Sequence, residues 1–279
     1  MPTVLLTRPE PQNEPLRQAL EKTGMTVWTQ PTIAIEPPES WEVVDRVLHA
    51  MLLGEDTFDW IVFSSGNGID FFFNRIETLQ KAAGCDGGVE FLSPARIAVV
   101  GEGTDAVLRR RMGRRADLVP ETFAAEGILE HLLPVAGGKR FLLLRASRGR
   151  DILRRSLLEA GGAVTELVVY RSVDVEQAET AILAKMERGE FDWTTATSSS
   201  IARSLVRLFG ERLKRTRIVS ISPMTSGVLY ELGYPSALEA REASMSGIVD
   251  ALAIVYRQGQ AVSKNNVPKN KVQKSSLLK

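Results

Sequence analysis

Histidine and cysteine are nearly missing from this chain of 279 residues, which holds two of the first and one of the second. Cys85 alone cannot form an internal disulfide, and a lone thiol suits a reducing compartment, so the cytoplasm is the expected location. His49 and His131 stand apart, each inside a predicted helix, so no histidine-based metal site is expected. No run of about 18 apolar residues occurs, so no transmembrane helix is expected. The opening MPTVLLTRPEP lacks the charged start and longer apolar stretch of a signal peptide.

A charge excess is also missing. The net charge is +1, but five lysines and no acid follow Gln258; without those lysines the balance moves from +1 to −4. The first 257 residues are therefore mildly acidic, which argues against a nucleic-acid partner. The segment 258–279 has no apolar periodicity and is read as a basic, disordered tail. Hydrophobic content of 44% and charged content of 25% are those of a soluble globular protein.

Several catalytic signatures are absent. There is no G-x-x-x-x-G-K-[ST] phosphate loop and no G-x-S-x-G elbow. Gly101-Glu102-Gly103 begins like a dinucleotide fingerprint, but its sixth position is Ala106, and Glu121 and Glu126 fit the ribose-binding acid by distance only. No nicotinamide cofactor is expected. Cys85 lies in a loop of variable length, a poor place for a nucleophile.

What the chain does have is a repeat that runs out of order. Phe58-Asp59-Trp60 returns as Phe191-Asp192-Trp193, and each is followed by an apolar run and a hydroxyl cluster, Ser64-Ser65 or Thr197-Ser198-Ser199-Ser200. Arg96-Ile97, with Gly101 and Thr104 beyond, returns as Arg217-Ile218 with Ser222 and Thr225. A third set places Arg8, Leu16, Leu20 and Gly24 against Arg145, Leu153, Leu157 and Gly161, one copy opening the chain and the other near its middle. One unit interrupted by a similar one reads this way. The first pair is offset by 133 residues and the second by 121, and the slip falls within Ile76–Ser93, around a glycine-rich loop where an insertion is tolerated.

Short apolar strands alternate with helical patterns throughout, from Thr3–Thr7 and Gln12–Lys22 to Ser236–Glu239 and Met245–Arg257, which predicts parallel sheets covered on both faces. Five strands are expected per lobe. Those of the second are Trp60–Ser64, Arg96–Val100, Ala116–Val119, Arg140–Leu144 and Ala163–Tyr170. Extended crossings fall near Thr32–Pro37 and Val169–Asp174 and are expected to pair. The domains expected are a discontinuous lobe 1 of residues 1–34 and 174–257, and a lobe 2 of residues 35–173 that includes the connector strands.

Ligands of open parallel sheets sit beyond the carboxyl ends of the strands. There this chain places Ser64-Ser65-Gly66-Asn67-Gly68, Gly101-Glu102-Gly103-Thr104, Thr197-Ser198-Ser199-Ser200 and Ser222-Pro223-Met224-Thr225, each directly before a helix. Free N–H groups and the helix dipole favour anions at such points; helix capping alone also selects these residue types. Arg8 and Arg145 end equivalent strands and can each fork two donors onto a carboxylate, or form a rim salt bridge.

The chain resembles the uroporphyrinogen-III synthases over about residues 3–255. The segments that carry the resemblance are Val4-Leu5-Leu6-Thr7-Arg8-Pro9, Ile61-Val62-Phe63-Ser64-Ser65 with Asn67-Gly68, Ala98-Val99-Val100-Gly101-Glu102-Gly103-Thr104, Leu142-Leu143-Leu144-Arg145-Ala146 and Val168-Val169-Tyr170-Arg171. The resemblance implies an α/β protein of two flavodoxin-like, doubly wound parallel-sheet lobes joined by a two-stranded connector, the first lobe discontinuous. It implies a monomer that works without a cofactor on hydroxymethylbilane, a linear tetrapyrrole polycarboxylate, in haem biosynthesis. Water leaves to give an azafulvenium cation, the terminal pyrrole attacks through its substituted carbon, and the spiro intermediate fragments and recloses with that ring inverted. Transient contact with the enzyme of the preceding step is a further expectation.

By that resemblance Tyr170 faces the cleft as a candidate general acid, a modest one for a phenol whose pKa is near 10, or else only binds. Thr225 matches a carboxylate-contacting threonine, and Thr197, Ser198 and Ser199 match a hydroxyl-bearing turn. With Arg8, Ser64, Ser65, Asn67, Gly101, Thr104 and Arg145 they form the expected substrate site. Ser222 and Met224 depart from the family pattern, and Thr194-Thr195 makes its strand unusually polar. A non-catalytic bilobal protein that binds or senses a small anion is the alternative, and a transferase using a nucleotide-activated donor is another.

Overall fold

The computed structural model describes residues 1–10, 12–84, 88–92, 94–121 and 125–265. Cys85 and the last fourteen residues of the expected tail lie outside the described residues. The chain divides into two compact units, Met1–Ala34 with Asp174–Lys279, and Ile35–Val173.

Unit 1 is built on five parallel strands: β1 (Thr3–Leu6), β2 (Thr26–Thr29), β8 (Trp193–Ala196), β9 (Arg217–Ser220) and β10 (Leu238–Glu239), in the order β10-β9-β8-β1-β2. Alternation along β1 decides which helix covers which face. Val4 and Leu6 join Leu16 and Leu20 of α1 (Glu14–Lys22) and Ile248 and Leu252 of α10 (Met245–Asn265). Leu5 points the other way, into a cluster with Ile182 of α7 (Thr180–Glu187), Leu205 of α8 (Ser199–Phe209) and Leu229 of α9 (Pro223–Glu231). The sheet is thus doubly covered, as its continuous apolar strands require.

Unit 2 has a similar parallel core, β7-β6-β4-β5. Its sheet runs β3-β7-β6-β4-β5, from β3 (Ile33–Glu36), β4 (Trp60–Phe63), β5 (Arg96–Val99), β6 (Arg140–Ala146) and β7 (Ala163–Asp174). Ile61, Phe63, Leu142 and Leu144 pack with α2 (Glu42–Leu52) and α3 (Gly66–Ala82) on one face, while Val62, Phe141 and Leu143 pack with α5 (Ala125–Leu132) on the other. α4 (Glu102–Met112) and α6 (Ile152–Glu159) complete the unit.

The internal repeat can be followed bond by bond. Trp60 pairs in register with Arg96 and with Phe141; Trp193 pairs with Arg217 and with Val4. The recurring Asp of the motif ties three strands together. Asp59 accepts the backbone N–H of Arg140 at 2.9 Å, and Asp192 that of Thr3 at 2.8 Å. Their own carbonyls accept from Arg96 and Arg217. The Trp of each copy lies under an arginine, Arg96 at 5.7 Å and Arg217 at 4.2 Å from the ring centroid. The motif is therefore a strand clamp.

Two expectations need correction. Ala116–Val119 is no strand: Leu118 makes one isolated bridge to Ala98, because Asp117 turns its carboxylate back onto the Ile97 N–H. The fifth named strand of that sheet is β3 instead. And α10 continues to Asn265, eight residues into the segment read as disordered.

Candidate functional site

In unit 2 the carboxyl end of β4 turns directly into α3. Ser65 caps that helix, its Oγ accepting the Gly68 N–H at 3.1 Å, while Ser64 Oγ donates to the Leu144 carbonyl at 3.1 Å. Gly66 is required there, since a Cβ would meet Val107 Cγ2 of α4 at 2.9 Å. The hydroxyl of Tyr170, on β7, lies 2.9 Å from Ser65 Oγ and also hydrogen-bonds the Asn67 side chain. Tyr170 is 7% exposed, and its ring stacks on Phe71 with centroids 5.8 Å apart. Burial raises the phenol pKa, and the bonds to Ser65 and Asn67 offset part of that shift. Ser64, Ser65, Asn67 and Tyr170 are thus joined in one place. Gly101 caps α4 at the end of neighbouring β5, and Thr104 is buried in its first turn, its N–H donating to the Gly101 carbonyl.

Arg145 is committed internally. Its Nη1 lies 3.2 Å from Glu166 Oε2 and 3.8 Å from Asp151, and Nη2 donates to the Gly149 carbonyl at 3.2 Å. Of its two expected roles, the rim salt bridge is the one observed. Neither acid partner was singled out in the sequence, although alternation along β7 puts Glu166 on the face of Val168, the residue beside Arg145.

Unit 1 offers the equivalent surface with different ion pairing. Ser198 caps α8, accepting the Ile201 N–H at 3.1 Å, and Ser199 opens the helix. Thr197 is buried, and Arg8 Nη1 reaches its Oγ1 at 3.4 Å. Arg8 also touches Met245 Sδ at 3.4 Å and donates to Gln12 Oε1 at 2.9 Å. Its Nε is buried without a partner, and no ion pair to it is found among the described residues. Burial lowers its pKa, the mark of a cation desolvated without full compensation. Ser222 caps α9, with Thr225 buried one turn in and its N–H 3.4 Å from Ser222 Oγ.

The departures from the family pattern have local causes. Ser222 supplies a side-chain cap that glycine lacks, and Met224 is left exposed beside it. Thr194 and Thr195 are fully buried but satisfied, the first by Thr216 Oγ1 at 3.1 Å and the second by the Leu5 carbonyl at 3.4 Å.

Capped helix starts, neutral hydroxyls and one unpaired guanidinium suit anions. Among the described residues no group of three or more His, Cys, Asp or Glu side chains is placed to hold a metal ion. No helix there is long and apolar enough to cross a membrane.

The sequence profile described as "Uroporphyrinogen-III synthase HemD" matches residues 14–250. The chain belongs to the uroporphyrinogen-III synthase family. A uroporphyrinogen-III synthase of Synechococcus elongatus is 30% identical over 265 residues, covering 92% of this chain and 96% of the relative. One from Chlorobaculum parvum is 29% identical, covering 84% and 90%. Two solved structures share the fold. A mutant uroporphyrinogen III synthase of Thermus thermophilus superposes with a TM-score of 0.62 at 18% identity, covering 95% of this chain and 100% of its own. The synthase of Helicobacter pylori gives 0.58 at 20%, covering 92% and 100%.

Proposed function

We propose that the protein closes hydroxymethylbilane to uroporphyrinogen III without a cofactor. Family membership across residues 14–250 carries this reading. In the reaction the terminal hydroxyl leaves as water once it gains a proton. The resulting azafulvenium carbon is attacked by the substituted carbon of the far pyrrole. The spiro compound then breaks one carbon–carbon bond and recloses with that ring inverted. Uncontrolled closure gives the symmetric type I isomer, so the protein's main task is orientation.

On this reading the two compact units act as lobes, the first interrupted by the second. Arg8, Thr197, Ser198, Ser199 and Thr225 of one lobe, and Ser64, Ser65, Asn67, Gly101 and Thr104 of the other, hold the substrate's carboxylates. Helix-start N–H groups and hydroxyls can do so without a dedicated cation for each. Arg145 contributes least, its charge being matched by Glu166. Tyr170 keeps its proton and offers an O–H next to Ser65. We further infer a cytoplasmic monomer that receives its unstable substrate from the preceding enzyme. Incubation of purified protein with fresh hydroxymethylbilane, followed by isomer analysis of the product, tests the reaction; sedimentation of the protein alone tests the monomer.

A further inference from the structure

The repeat lets one unit serve as a template for the other. Arg8 corresponds to Arg145, Leu6 to Leu143 and Thr29 to Glu166, each 137 residues on. The registers agree, since Thr29 pairs with Leu6 as Glu166 pairs with Leu143. In unit 2, therefore, a carboxylate on the neighbouring strand reaches the arginine, at 3.2 Å. In unit 1 that position carries a hydroxyl.

The difference leaves positive charge unmatched. Arg8 has the partners already described and no carboxylate among the described residues. Arg17, on α1, covers the same sheet face and brings Nη2 to 3.5 Å from Thr29 Oγ1. The Nε of Arg17 is buried without a hydrogen bond, and its one ion pair is a loose 3.9 Å contact to exposed Glu14. Two half-buried guanidinium groups thus lie at the carboxyl ends of adjacent parallel strands, where such sheets bind ligands. A planar, forked cation so placed matches a carboxylate.

We propose that Arg8 and Arg17 serve a carboxylate-binding subsite in unit 1, at the strand end where Thr29 leaves room, taking from a ligand the group that Glu166 supplies internally in unit 2. That the ligand is a side-chain carboxylate of the linear tetrapyrrole rests on the proposed function; the subsite itself does not.

The decisive variant is Thr29→Glu, which builds the unit 2 arrangement into unit 1. The probe is propane-1,2,3-tricarboxylate, titrated calorimetrically and by the Nε–Hε NMR signals of the arginines. Wild type binds it; Thr29→Glu and Arg17→Met each weaken it about tenfold, the scale of one charge-assisted contact, while Thr29→Val stays within about threefold because both charges remain. With hydroxymethylbilane, Thr29→Glu raises KM about tenfold and leaves kcat within about threefold, as expected for lost ground-state binding. Arg17→Met covers the case in which Thr29→Glu does not fold. Equal binding of the tricarboxylate by wild type, Thr29→Glu and Arg17→Met, or no binding by wild type, overturns the subsite. Weakened binding alongside no turnover by wild type keeps the subsite and removes the proposed reaction.

Discussion

The hydroxyl of Tyr170 stands 2.9 Å from Oγ of Ser65, the serine that caps α3. A strand residue thereby holds a helix start that is itself a candidate anion site. Because burial raises the phenol pKa, Tyr170 stays protonated below pH 10 and shares a hydroxyl–hydroxyl hydrogen bond with Ser65. Tyr170→Phe should lower kcat/KM by about tenfold or less, the worth of one neutral hydrogen bond, against the roughly 10²–10⁴ of a lost general acid. Wild-type activity should show no basic limb from this residue below about pH 10. A thousandfold loss, or a limb near neutrality that the variant abolishes, would assign Tyr170 the proton transfer.

Asp59 joins β4, β5 and β6. Its hydrogen bond with Lys139 and that with the Arg140 N–H hold its pKa below the usual carboxylate value. Stability from a depressed carboxylate is present above the unfolded value near 4 and fades as pH falls through the folded one. Asp59→Asn should cost about 1 kcal/mol at pH 7, the scale of one partly exposed hydrogen bond. Urea melts should show that gap closing at pH 3; an equal gap at both values would mean that the charge is irrelevant.

Asp105 is fully buried, accepts the Ala116 N–H at 2.8 Å and pairs with Arg109 and Arg115, each at 3.1 Å. Removing its charge leaves both cations only the exposed Glu102, 3.8 Å from Arg109 and 2.7 Å from Arg115, and strands a buried polar side chain. Asp105→Asn should cost about 3 kcal/mol and lower the melting temperature by about 10 °C. Thermal melts check this, and a shift under about 2 °C would show the pair to be solvent-screened.

Much of this was legible before any coordinates. The offsets of Phe58, Arg96 and Arg8 to their copies mark equivalent strands, and the structure sets those strands in the same inner order, β2-β1-β8-β9 and β7-β6-β4-β5, while the edge strands β10 and β3 fall outside the repeat. Ala116–Val119 misled for a physical reason: its apolar alternation is real, but the Asp117 side-chain carboxylate takes the Ile97 N–H. The site was harder. Ser65 and Ser198 are readable as caps from their place before helices, but whether Arg145 is paired depends on Glu166, two strand positions back on the next strand. The same offset, carried from Glu166 to Thr29, was the signal that would have exposed Arg17.

The central claim is control of ring orientation, and product identity measures it. Purified protein is mixed with fresh hydroxymethylbilane, the products are oxidised, and the isomers are separated. The type III fraction should rise with protein concentration and exceed that in buffer alone. Type I only, forming at the spontaneous rate at every concentration, would contradict the account.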